Sequence, residues 1–161
     1  MPPSRPQDSA RIARTVLATE AAALTRLADE LSADFERVVA LLLEIRGRII
    51  VSGMGKSGHV AAKIAATFAS TGSPAQCVHP GEASHGDLGM ITPQDAVILI
   101  SNSGETRELT DMIAHCARFS VPLVAMTKWG GSTLGQAADH LLLMPDAPEA
   151  CAIGMAPTTS T

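Results

Sequence analysis

Between residues 48 and 144 the chain alternates short unbroken apolar runs with stretches of helical periodicity, and nothing else in it limits the possible folds as strongly. The runs are Arg48 to Ser52, Ala75 to His79, Ala96 to Ser101, Leu123 to Thr127 and His140 to Met144. Continuous runs of this length suit strands buried on both faces, whereas strands with one wet face alternate apolar with polar. Between them, Val60, Ile64 and Phe68 mark one helix, Leu109, Met112, Ile113 and Cys116 a second, and Ser132 to Ala138 a shorter one. Strands separated by helices imply a parallel sheet with helices on both sides. The expected fold class is therefore α/β, a three-layer αβα sandwich around a five-stranded parallel sheet with N-terminal helices.

Ser9 to Leu31 reads as the first of those N-terminal helices. Leu17, Ala21, Leu24, Ala28 and Leu31 recur in steps of four and three, a narrow seam that suits packing on the domain and a subunit contact equally well. Val38, Leu41, Leu42 and Ile45 mark the second, with Gly47 in a stop position. No repeat, low-complexity block or linker interrupts the chain, so residues 1–8 are expected to be flexible and 9–161 to form one domain.

With 46% hydrophobic and 17% charged residues the 161-residue chain has the makings of a packed interior. Aromatics are only 2% and Tyr is absent, so aliphatic side chains must fill it. The formal charge of −4, without a Lys/Arg block, excludes a nucleic-acid partner that would need its phosphates neutralised. Cys77, Cys116 and Cys151 lack C-x-x-C spacing, and the first two sit in apolar patterns as buried thiols, which suits a reducing compartment. The start, MPPSRPQDS, has no apolar signal-peptide core, and runs such as VVALLLEI are too short to span a bilayer. The expected location is the cytoplasm, with no membrane partner.

In a parallel α/β sheet, ligands bind at the carboxyl ends of strands. That rule singles out GMGKSGH, HPGEASHGD, SNSGET and MPDAPEAC. In the first, a P-loop needs a Gly five residues before Gly55, where Ile50 stands, so a polyphosphate loop is excluded. Gly53, Gly55 and Gly58 do spell G-x-G-x-x-G, but a dinucleotide site also needs an acid at the end of the next strand. Val78, His79 and Pro80 occupy that place, and Glu82 falls later, in an expected loop. SNSGET is more telling. Ser101, Ser103 and Thr106 crowd one strand-to-helix junction, more hydroxyls than a simple helix cap uses, and Ser57 can face the same point. One hydroxyl-lined site with a single lysine, Lys56, suits a phosphate monoester.

His79, Glu82, His85 and Asp87 could in principle hold a metal, but their spacing fits no zinc pattern. No metal is required, although an adventitious ion at His85 is conceivable. His59, His115 and His140 read as structural or surface residues.

The succession GMGKSGH, HPGEASHGDLGM, SNSGET, then PEAC and G-x-A-P-T-[ST]-S-T, resembles the sugar-isomerase (SIS) domain from about Ile12 onward. SNSGE alone marks SIS domains in general, non-catalytic phosphosugar sensors included, whereas HPGEASHGDLGM with the terminal APTTST is similar to the bacterial arabinose-5-phosphate isomerases. The resemblance implies a flavodoxin-like sandwich. It implies interconversion of D-ribulose 5-phosphate and D-arabinose 5-phosphate through an enediol, on the route to the lipopolysaccharide sugar Kdo, with no cofactor. It implies Lys56, His85, Glu108 and Glu149 as the catalytic set. Without it, Glu108 would read as a first-turn acid complementing a helix dipole and Glu149 as an exposed loop carboxylate. Gly55, Ser57, Ser101, Asn102, Ser103 and Thr106 are then the phosphosugar-binding residues, with Thr158, Thr159 and Ser160 closing the far side.

Relatives of this kind continue with a long helix, a histidine that joins the site and often paired CBS domains, whereas the sequence given ends at MAPTTST, where Pro157 and the hydroxyl cluster read as a helix start. Apolar surface left bare or covered by a neighbouring subunit is expected, as is homo-oligomer formation. Two other functions stay open: a phosphosugar-binding module without turnover, and an isomerase of another phosphosugar.

Overall fold

A computed structural model of the chain describes residues 6–151 and 158–159. It divides into two compact units, residues 32–144 and a smaller one made of residues 1–31 with 145–161. The larger unit carries the whole sheet: β1 Ile49–Gly53, β2 Ala75–Cys77, β3 Ala96–Ile100, β4 Leu123–Thr127 and β5 His140–Leu143. All are parallel, in the spatial order β2-β1-β3-β4-β5. The α/β class with a five-stranded parallel sheet is thus as expected, and this strand order is the flavodoxin-like one.

Alternation along the strands divides the core into two layers. Ile49, Val51, Ile98, Ile100 and Val124 point to one face, against Val38 of α2 (Asp34–Glu44) and Ala61 and Ala65 of α3 (Lys56–Ser70). Ile50, Val97, Leu99, Leu123 and Ala125 point to the other. There they meet Ala83 of α4 (Pro80–Ser84), Met112 and Cys116 of α5 (Thr110–Phe119) and Leu134 of α6 (Thr133–Ala137). β1, β3 and most of β4 are buried, as strands sandwiched between helix layers must be. Cys116 is buried as expected, and burial, helped by the negative charge of Asp139, pushes its thiol up to about 12.

The amino ends of the central strands are tied together by one carboxylate. Asp95, 2% exposed, accepts from the Arg48 N–H (2.6 Å), the Thr92 N–H (2.7 Å) and the Thr92 hydroxyl (2.9 Å). The Arg48 guanidinium stands 3.7 Å away and donates to the Met90 carbonyl (2.7 Å). Burial would raise the Asp95 pKa, but these donors and the Arg48 charge outweigh it and hold it below the usual aspartate range.

Three expectations need correction. HPGEASHGD is not a loop: Pro80–Ser84 is a helix, and Asp87–Met90 a 3-10 turn. Glycine and proline made the segment look irregular, yet Pro80 opens the helix, where its missing N–H costs nothing, and the His79 ring accepts the Gly81 N–H (3.1 Å) as a cap. Helix α1 spans Pro6–Asp29, so it starts before the expected Ser9, and Leu31 lies beyond its end. Finally, β2 stops at Cys77 and β3 at Ile100, which leaves Val78, His79 and Ser101 in the connections.

The α1 seam is bare, with Leu17 64% and Leu24 67% exposed. In the larger unit, Val39, Leu42, Leu43, Ile64, Phe68 and Leu142 line an apolar groove of about 340 Å³ between α2 and α3. Among the described residues no helix is long and apolar enough to cross a membrane.

Candidate active site

At the carboxyl end of the sheet, β1 turns into α3 through Gly53, Met54 and Gly55. Two of the glycines in GMGKSG are demanded by contact distances. A Cβ on Gly53 would lie 3.0 Å from both the Ile100 carbonyl oxygen and the Ser57 Cβ, and one on Gly58 would lie 2.7 Å from the Gly53 carbonyl oxygen. The third, Gly55, adopts a left-handed φ of 59° with open space around it. Helix α3 therefore starts tight against the strand ends. Since Gly53 pairs with Ile100, Ser57 stands over the junction where β3 passes into Ser101. No side chain caps the start of α3, so its first N–H groups are available to an anion.

The Ser101–Thr106 loop is folded on itself. The Ser101 hydroxyl is 2.7 Å from the Thr106 hydroxyl and accepts the Gly104 N–H (3.0 Å), with Ser101 only 2% exposed. The Ser103 hydroxyl accepts the Glu105 N–H (3.2 Å). Neither the 3-10 turn Arg107–Leu109 nor α5 receives a side-chain cap, so these hydroxyls are not spent on helix capping. If Ser101 donates to Thr106, the Thr106 proton is left to donate elsewhere. Ser103 and Asn102 are exposed, and the Asn102 carbonyl accepts the Lys128 N–H (3.1 Å). Gly104, at φ +70°, could hold no side chain: a Cβ there would collide with Ser132 and lie 3.0 Å from the Thr127 hydroxyl.

Lys56 is exposed in the first turn of α3, His85 is exposed at the end of α4, and Glu108 is exposed in the 3-10 turn before α5. All three belong to the larger unit, as do Gly55, Ser57, Ser101, Asn102, Ser103 and Thr106.

Glu149, Thr158 and Thr159 belong to the smaller unit and come together there. Glu149 Oε2 accepts the N–H groups of Thr158 (2.7 Å) and Thr159 (2.8 Å), and the Thr159 hydroxyl accepts the Ala150 N–H (3.0 Å). Ser160 and the proposed helix start at Pro157 lie outside the described residues. Among the described residues, no group of three or more His, Cys, Asp or Glu is placed to hold a metal ion. His79 is instead engaged as a helix cap.

One participant was not foreseen. Glu105, exposed beside Gly104, accepts the Thr133 hydroxyl (2.7 Å) and N–H (2.8 Å), which hold its carboxyl below the usual range. No local pattern marks it in the sequence, because its partner lies 28 residues on.

Comparison with known proteins agrees with this fold. Arabinose 5-phosphate isomerase KdsD of Yersinia pestis is 50% identical over 154 residues, 96% of this chain and 47% of that protein. Arabinose 5-phosphate isomerase KpsF of Escherichia coli O6:H1 is 50% identical over 149 residues, 92% of this chain and 46% of that protein. The chain thus spans about half the length of these curated relatives. The solved structure of an E. coli CFT073 protein in complex with arabinose 5-phosphate superposes with a TM-score of 0.92 at 36% identity, covering 98% of this chain and 84% of that one. Residues 41–161 match the SIS domain. With a sheet of the expected order, a glycine-tight turn and a hydroxyl-rich loop at its carboxyl end, this chain belongs to the SIS domain family.

Proposed function

We propose that the chain is the isomerase domain of an enzyme interconverting D-ribulose 5-phosphate and D-arabinose 5-phosphate, on the route to Kdo and lipopolysaccharide. The observation that carries this reading is the meeting of the uncapped start of α3, bearing Ser57, with the Ser101–Thr106 loop across the Gly53–Ile100 pair. Ser57, Ser103 and Thr106 donate to one phosphate, Asn102 and Gly55 line its approach, and Ser101 holds Thr106 in place. A phosphate fixed there leaves C1 and C2 of a five-carbon sugar free to reach side chains at the rim.

From the ketose, a base takes a proton from C1, the C2 carbonyl oxygen gains a proton, and an enediol forms. Loss of the O1 proton and return of a proton to C2 give the aldose, so the step balances without a redox partner. Lys56, His85 and Glu108 are exposed, and among the described residues no hydrogen bond engages their side chains; Lys56 polarises a sugar oxygen, while His85 and Glu108 are suited to carry protons. Glu149 completes the set that the resemblance implies, and Thr158, Thr159 and Ser160 are proposed as further ligand contacts. The bare α1 seam supports assembly into a homo-oligomer, and the expected setting is the cytoplasm.

Incubating the chain with ribulose 5-phosphate and assaying arabinose 5-phosphate tests the reading, with turnover expected. Binding without turnover would reduce it to a phosphosugar-binding module. Ser103→Ala is expected to weaken phosphosugar binding about tenfold or more, the loss of one hydrogen bond to a charged group, and unchanged affinity would remove the anchor assignment.

A further inference from the structure

We propose that Glu105 is a positioning residue that sets the shape of the anion-binding loop by clamping it to the first turn of α6. The proposal rests on the phosphate reading of that loop given above.

The loop has few other ways to keep its shape. Residues 101–106 lie over the connection that follows β4, held there by backbone bonds: Ser101 N–H to Met126 O (3.0 Å), Lys128 N–H to Asn102 O (3.1 Å) and Leu134 N–H to Gly104 O (3.0 Å). Beyond Gly104 this lacing stops. The loop then passes a cavity of about 420 Å³ lined by Glu105, Thr106, Arg107, Thr110 and Thr133, so packing does not hold it on that side. What bridges the edge of the cavity is the Glu105 carboxylate, with one oxygen on the Thr133 N–H (2.8 Å) and the other on the Thr133 hydroxyl (2.7 Å). Two charge-assisted bonds from a single residue fix the carboxylate and so restrain the Glu105 peptide that carries it.

That peptide matters because its N–H is the donor to Ser103 Oγ (3.2 Å), and the next residue is Thr106, paired with Ser101 (2.7 Å). Two hydroxyls assigned to the phosphate are thus oriented from one point. Without the clamp, the turn at Gly104, already left-handed at φ +70°, can swing into the cavity and take Ser103 and Thr106 with it. Glu105 itself faces Thr133 and need not touch the ligand.

The test combines a readout that needs no ligand with one that does, on the 161-residue chain. In Glu105→Ala, amide hydrogen exchange at Gly104 and Glu105 is expected to accelerate about tenfold while that of β3 and β4 stays unchanged. Unchanged exchange overturns the clamp whether or not the chain binds phosphosugars. The dissociation constant for arabinose 5-phosphate, with inorganic phosphate as a second probe, is expected to rise about tenfold in Glu105→Ala and about threefold in Thr133→Val. The double variant is expected to be no worse than Glu105→Ala alone, because both act through one contact. Glu105→Gln, which can still bond to both Thr133 groups, is expected to recover most of the affinity. Additive losses, or affinity within about twofold of wild type in Glu105→Ala, overturn the positioning role. Wild-type protein that binds neither probe refutes the phosphate reading and the positioning role with it, leaving exchange to decide the clamp itself.

Discussion

The two ends of the sheet are built from the same strands and leave their charged groups in opposite states. At the amino end, Asp95 is buried and accepts from Arg48 and Thr92, with a guanidinium beside it. At the carboxyl end, Lys56, His85 and Glu108 stand exposed, their side chains unbonded among the described residues, beside loops whose glycines adopt left-handed angles at Gly55, Gly86 and Gly104. A buried charge is tolerable only when its partners are complete, and the donors to Asp95 are in place, so removing that carboxylate would be costly. Charges left unsatisfied in water cost little and remain available for chemistry. The charged groups at the two ends thus differ in partner count: Asp95 has its donors in place, whereas Lys56, His85 and Glu108 have none among the described residues.

The largest effects should appear at the carboxyl end and leave stability alone. Glu108→Gln and Lys56→Ala are each expected to reduce turnover about a hundredfold or more, the usual scale for loss of an acid–base or polarising group. The check is steady-state assay beside thermal unfolding, and a loss of activity explained by a lower melting temperature would break the contrast.

At the amino end the expected pattern is inverted. Asp95→Ala should cost about 3 kcal/mol in denaturant titrations, because it leaves buried donors and a guanidinium without their acceptor. Phosphosugar affinity of the folded fraction should not change. The pH dependence follows from the depressed Asp95 pKa. Its contribution is complete above the unfolded-state value, near the ordinary aspartate range, and is lost as pH falls through the lower folded-state value. Wild type should therefore lose stability below about pH 4, and Asp95→Asn should lose less over the same interval. Parallel curves would show that Asp95 is not the group responsible.

The smallest effect concerns Ser52, which is fully buried in β1 with no partner for its hydroxyl among the described residues. Ser52→Ala should leave stability unchanged or raise it by about 1 kcal/mol, since it removes an unsatisfied buried group. A clear loss, measured by the same titrations, would reveal a partner at this position and blur the distinction between the two ends.

Legibility from sequence follows the same division. The strands of the sheet were readable to within two residues at each end, because continuous apolar runs are a local consequence of burial on both faces. The turn at Gly53–Gly58 was readable as a short strand-to-helix junction, but the close backbone approaches that demand Gly53 and Gly58 came only from the structure. HPGEASHGD failed because a five-residue helix opened by proline has no periodicity to detect. The apolar seam of α1 was legible as a pattern, but the pattern could not say which surface covers it.

By itself, then, the sequence determined the order of the strands and of the longer helices, the parallel α/β class and the short list of segments at the carboxyl edge, all of which depend on patterns within a few residues. Only the tertiary structure decided which polar groups are spent and which are free. Asp95 meets Arg48 across 47 residues and Glu105 meets Thr133 across 28. Hydrogen bonds of that span leave no periodic trace in the chain, because they depend on which strands become neighbours and on how closely the connections between them pack.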